Sequence, residues 1–155
     1  MPNRMEAPEI VAIPRWFKVA ATLALLWNLL GLMAFINQMM MTPATLAELP
    51  QPQQDLLAST PWWATTAFAI AVFTGTLGSL ALLMKKPICY KLFVLSFVSV
   101  VIQMFHAFFI SNSYQVYGPA GTIMPIMVLF IALLLVRFAA KANNNHWFSK
   151  STATD

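Results

Sequence analysis

The chain has 155 residues, of which 59% are hydrophobic and 9% charged, with a formal net charge of +4. Soluble domains carry roughly 25% charged residues, so this composition, with a mean hydropathy of +0.70, excludes a water-soluble globular body. The nine Lys and Arg residues sit at the ends of apolar runs and form no stripe, which argues against nucleic acid as a partner despite a pI near 9.5 and points to a lipid bilayer with anionic headgroups.

In chain order, an N-terminal tail, 1–16, is polar and proline-broken and carries Arg4 and Arg15. The first apolar span, 17–39, holds no charge after Lys18 and exceeds the roughly 20 residues that cross hydrocarbon. Its apolar run is longer than the core of a secretory signal, and no small-residue cleavage site precedes Asn37 and Gln38, so a retained helix is expected. A connection over 40–61 follows, without Lys or Arg but with Glu48 and Asp55. Within it Thr42 and Pro43 suit a helix start, and Leu46, Leu49, Leu56 and Leu57 surround a break at Pro50 and Pro52. Such a segment reads either as a lid over the helices or as a short interfacial helix covering their ends.

The second span, 62–84, follows Pro61 and opens with Trp62 and Trp63, a combination suited to a membrane interface. The turn Lys85-Lys86-Pro87 is so short that the third span, 88–111, must run antiparallel beside the second. Cys89, the single cysteine, stands at its start as a small apolar filler with no redox or zinc framework around it. After a connection over 112–118, Pro119 opens the fourth span, 119–140, in which Pro125 deprives the Gly121 carbonyl of its amide partner and predicts a kink. The C-terminal tail, 141–155, carries Lys141 and Lys150, with Trp147 and Phe148 placed to touch the membrane surface.

Arg4, Arg15 and Lys18 precede the first span, Lys85, Lys86 and Lys91 bracket the second and third, and Arg137, Lys141 and Lys150 close the fourth. Because cytoplasmic loops retain basic charge during insertion, both termini and the middle turn are expected in the cytoplasm and 40–61 outside. The expected fold is an all-α membrane protein, four transmembrane helices in an antiparallel bundle.

A 100° step per residue then sorts the faces. Asn28, Gly31, Phe35 and Gln38 share one side of the first span; Ser96, Ser99, Gln103 and His106 share one side of the third. In the second, Ala67, Ala71, Gly75 and Ser79 recur every fourth residue beside Thr74 and Gly78, the small-xxx-small pattern that lets helix backbones approach. Lipid cannot satisfy an amide or imidazole, so Asn28, Gln38, Thr74, Gln103 and His106 form an intramembrane polar layer. Its two readings are interhelical hydrogen bonding and the lining of a solute path.

No Asp, Glu, Lys or Arg lies centrally in a span, which removes the usual carboxylate of ion-coupled transport. Met39, Met40, Met41, Met104 and Met124 with His106 are ligand types suited to copper(I), but successive methionines on a helix point apart, so no metal is expected. Paired carboxylates, C-x-x-C, H-E-x-x-H, G-x-S-x-G and phosphate-cradling glycine loops are all missing. No catalytic residue, enzyme activity or cofactor is expected.

The run Trp27-Asn28-Leu29-Leu30-Gly31, then Phe35, Met41-Thr42, Pro61-Trp62, the segment Phe68 to Phe73, Gly75 and Leu77-Gly78-Ser79 resembles a largely uncharacterised group of small four-span bacterial proteins, some loosely labelled sugar transporters. The similarity spans Lys18 to Gln103. It implies a bacterial inner-membrane location and transfers no functional residues. Two functions follow: an accessory or assembly component that binds another membrane protein or itself through helix contacts, or a carrier or channel subunit for a small solute working as a homo-oligomer.

Overall fold

The computed structural model of the chain describes residues 12–111 and 113–148. Arg4 and Lys150 of the charge pattern, and most of both tails, lie outside those residues. The fold is all-α, without a strand among the described residues. Four helices are long and apolar enough to cross a membrane.

Helix α1 (Arg15–Met39) begins two residues before the expected span, because Pro14 accepts from Phe17 N at 3.0 Å and starts the first turn at the basic residues. Two short helices, α2 (Pro43–Ala47) and α3 (Gln51–Ala58), occupy the 40–61 connection. Thr42 caps α2 reciprocally: its hydroxyl accepts from Thr45 N at 3.3 Å, and Thr45 Oγ1 accepts from Thr42 N at 2.9 Å. The break at Pro50 is closed by Gln54 Nε2, which donates to Leu49 O at 2.7 Å. Helix α3 then packs on the start of the last helix.

Helix α4 (Trp62–Leu83) is the centre of the molecule: α1 and α5 (Ile88–Phe105) both pack on it, and α5 packs in turn on α6 (Ser113–Asn144). The α4–α5 turn is tight because Lys85 takes a left-handed conformation (φ 55°). Its N–H bonds Leu82 O at 3.0 Å, and Lys86 N–H reaches back to Ala81 O at 2.8 Å. That pair of bonds satisfies the last carbonyls of α4 and turns the chain sharply. The end of α6 uses the same device with His146 (φ 55°), where Trp147 N–H returns to Ala142 O at 3.0 Å. Both caps lie where the basic residues gather.

The second cap folds Trp147 inward, correcting its expected place on the membrane surface. Trp147 is buried with Phe17, Ala21, Leu82, Cys89, Phe93, Ala139 and Ala142 in one cluster. Its ring stands edge-on to Phe17 at 5.6 Å, and Phe17 meets Phe138 at 5.5 Å. These contacts join α1 to α6 at the basic end and close it. Arg15, Lys18, Lys85, Lys86, Lys91, Arg137 and Lys141 stand exposed around that end, and Lys141 Nζ lies 6.0 Å from the Trp16 ring centroid.

The far end departs from the sequence expectation in two places. The third span leaves α-helical geometry at His106 and finishes as a π-helix, His106–Ile110, with Ser111 N–H bonding His106 O at 2.8 Å. The expected 112–118 connection is replaced by a helical turn from Ser113, interrupted at Gly118 (φ 64°, ψ −168°), a conformation that only glycine adopts readily. Pro119 then restarts the helix where its missing N–H costs nothing. Pro125, the expected kink, lies within α6, and a separate break with non-helical angles falls at Gly118. Helix α6 runs on to Asn144, four residues beyond the expected 140.

Candidate functional site

The small face of α4 sets the geometry. Ala67, Ala71, Gly75, Gly78 and Ser79 are all buried, and this face admits both α1 and α5. A methyl group on Gly78 would lie 3.1 Å from the Phe93 ring. One on Gly75 would collide with Asn28 Oδ1 and lie 3.1 Å from Ser96 Oγ. Gly75 is therefore the point where side chains of α1 and α5 converge over the bare backbone of α4.

Hydrogen bonds reinforce that junction. Asn28 Nδ2 donates to Ala24 O of its own helix at 2.8 Å and to Ser79 Oγ across the interface at 3.1 Å. Ser79 Oγ donates onward to Gly75 O at 2.9 Å. The Thr76 hydroxyl, 2.8 Å from Val72 O, also lies 3.4 Å from Asn28 O. Ser96 Oγ donates to Ala71 O at 2.7 Å, tying α5 to α4. Lipid offers no competing partner for these groups, so the bonds that cross from helix to helix favour the assembled bundle.

Beyond the closed basic end α1 and α6 separate, and all four long helices border a cavity of about 250 Å³. Its wall is apolar except for Asn28, Ser96 and Gln103; Trp27, Phe68 and Phe93 supply aromatic surface. Phe93 belongs both to this wall and to the closing cluster, and so forms the floor. Gln103, ten residues farther along α5 and about 15 Å higher by helical rise, stands at the opposite end. It also borders a second cavity of about 330 Å³ between the π-helical segment and the start of α6, with Phe108, Tyr117, Thr122 and Pro125. A third, of about 540 Å³, lies under α3 beside Asp55, Ser59 and Gln115.

The expected polar layer is thus divided. Asn28 and Gln103 face the central cavity. His106 is buried one turn above Gln103, with its ring edge-on to Trp63 at 5.1 Å. Thr74 donates to Ile70 O at 2.6 Å within its own helix and borders none of the three cavities; Gln38, half-buried near the end of α1, borders none either. Thr76 takes the interhelical place that the sequence pattern suggested for Thr74: two positions on, it turns toward α1. Trp27 and Phe93 carry no sequence mark that separates a cavity wall from ordinary packing.

Among the described residues no three His, Cys, Asp or Glu side chains gather to hold a metal ion. Of the five methionines with ligand character, Met124 borders the central cavity and Met104 the second, while Met39 and Met40 are exposed. Comparison with known proteins gives no family model, no curated protein and no solved structure that matches the chain.

Proposed function

We propose that this protein is a multi-pass component of a bacterial inner membrane, both termini cytoplasmic, acting as an accessory or assembly subunit through helix–helix contacts. One observation carries the reading: polar groups on the facing sides of α1, α4 and α5 join helices to one another, Asn28 with Ser79 and Thr76, and Ser96 with Ala71. The cavity beside them has a mostly apolar wall and an aromatic floor, a poor lining for a hydrated solute. Long apolar faces on α1 (Leu23, Leu26, Leu30) and α6 (Ile123, Ile126, Phe130) remain outside the core and are available to another membrane protein or a second copy. The orientation rests on the charge pattern, with Glu48 and Asp55 at the end away from the lysines, and the bacterial location on the resemblance described above.

Affinity purification in mild detergent followed by native mass spectrometry tests the proposal. A stoichiometric foreign membrane protein or a defined homo-oligomer is the expected result. A homo-oligomer that carries solute flux in proteoliposomes would overturn it. In intact cells an impermeant maleimide should label a cysteine placed at Gln53 and leave one placed at Lys86 untouched; the reverse pattern would invert the topology.

Transport is the second reading, favoured by the meeting of two cavities at Gln103. It predicts that Gln103→Leu and His106→Leu abolish flux while the protein still folds.

A further inference from the structure

The central cavity combines three properties that general packing does not require together. Its walls come from all four long helices, its floor is aromatic, and its polar groups retain unused bonding capacity. Asn28 commits its Nδ2 to Ala24 and Ser79, which leaves Oδ1, held over Gly75, as an acceptor. Ser96 donates to Ala71 and keeps its lone pairs. Gln103, on the wall shared with the second cavity, makes no side-chain hydrogen bond among the described residues and offers both a donor and an acceptor. Within hydrocarbon an unfilled carboxamide is costly, and water inside an apolar chamber finds few of the two to four partners it needs.

We propose that this chamber binds one small, uncharged, amphipathic molecule, phenol-like or alcohol-like, with its hydrogen-bonding group on Gln103 or Asn28 and its apolar body against Trp27, Phe68 and Phe93. Charge is excluded because no ionisable side chain borders the chamber to compensate it. Size is bounded by volume: about 250 Å³ admits a molecule of one aromatic ring or a short chain. The ligand enters from the outer side, where the second cavity meets the chamber at Gln103; the aromatic floor closes the other end. This binding role is independent of the accessory reading, since a subunit of either kind can hold a ligand.

The test uses 4-bromophenol, whose heavy atom quenches tryptophan at close range, with the full chain in lipid nanodiscs. Trp27 is the tryptophan on the chamber wall, so the difference between the wild type and Trp27→Phe isolates its signal. Saturable quenching of Trp27 is expected, weakened about fivefold by Gln103→Leu, the loss of one hydrogen bond, and removed by Ala132→Phe, which fills the chamber. Val128→Phe serves the same purpose should Ala132→Phe fail to fold. Quenching that rises linearly with concentration, or that saturates identically in the filled variant, reports partition into lipid and overturns the proposal. The result is read on protein alone, so failure to find a partner in the purification experiment leaves it unaffected.

Discussion

The two ends of this molecule solve the same packing problem in opposite ways. At the basic end the helices converge: α1 and α6 meet through Phe17, Phe138 and Trp147, two tight caps pull the chain back on itself, and Cys89 is fully enclosed. Toward the other end α5 loosens into a π-helix, α6 is broken at Gly118, and cavities open between the helices. Lipid tails are as apolar as leucine, so burial alone gives membrane helices little reason to associate, and close packing with polar bonds must supply it. The closed end therefore fixes the bundle, and it is this fixation that permits an unfilled volume beyond it.

The sharpest way to break this contrast is at the junction from which both halves hang. Gly75→Leu would drive a side chain into the space of Asn28 Oδ1 and Ser96 Oγ, separating α1 and α5 from α4 together. Overpacking usually costs about 1–3 kcal/mol; with two helices displaced at once a loss of about 3 kcal/mol is expected, read as unfolding in mixed micelles by circular dichroism. A variant that unfolds like the wild type would show that the helices do not converge at Gly75.

Phe17→Ala attacks the closed end alone. Truncating a buried aromatic in a soluble core costs about 3–5 kcal/mol, part of which is transfer from water; next to lipid the cavity portion remains, and about 2 kcal/mol is expected. Cys89 supplies the readout that locates the damage. It is 0% exposed beside Phe17 in the same cluster, so maleimide in detergent should react with it slowly in the wild type and much faster in Phe17→Ala. Equal rates in the two proteins would mean that the cluster does not seal this end.

Gly118→Ala provides the converse. A methyl group there meets no atom within 4 Å, so the whole effect is the backbone cost of holding alanine at φ 64°, about 1 kcal/mol. The expected outcome is a modest loss of stability with unchanged Cys89 reactivity, because the change is confined to the open end. Accelerated Cys89 labelling would show that the two ends are coupled.

The closed end was the more legible of the two in the sequence, though not completely. Charge at the span ends and runs of apolar residues gave the four helices to within a few residues, since length and hydropathy are what a bilayer selects. The fourfold spacing of Ala67, Ala71, Gly75 and Ser79 marked the face of α4 that the structure buries, because small residues at that period are a requirement of close approach. Trp147 was misjudged because left-handed capping at His146 has no glycine to advertise it. The π-helical ending of α5 was equally hidden: Phe105 to Ile110 reads as continuous α-helix by every local preference. The break at Gly118 was not foreseen, because a glycine followed by a proline reads as the end of a connection as readily as a break within a helix. The cavity was illegible, since an unfilled volume is a property of how four faces fail to meet.

The smallest effect is the most specific. Asn28 and Ser79 form a direct side-chain to side-chain hydrogen bond between α1 and α4, at 3.1 Å, and bonds between membrane helices average about 0.6 kcal/mol in double-mutant cycles. Asn28→Ala, Ser79→Ala and the double variant should therefore give a coupling of about that size, stabilising in sign. Each single change also carries a packing term, which the cycle subtracts, because both side chains lie within the same closed interface. Zero coupling would mean that Asn28 contributes only its volume at Gly75. The polar layer of α1 would then be retained for the chamber beside it, and the same Asn28→Ala variant, assayed with 4-bromophenol, would have to show the loss that the stability cycle did not.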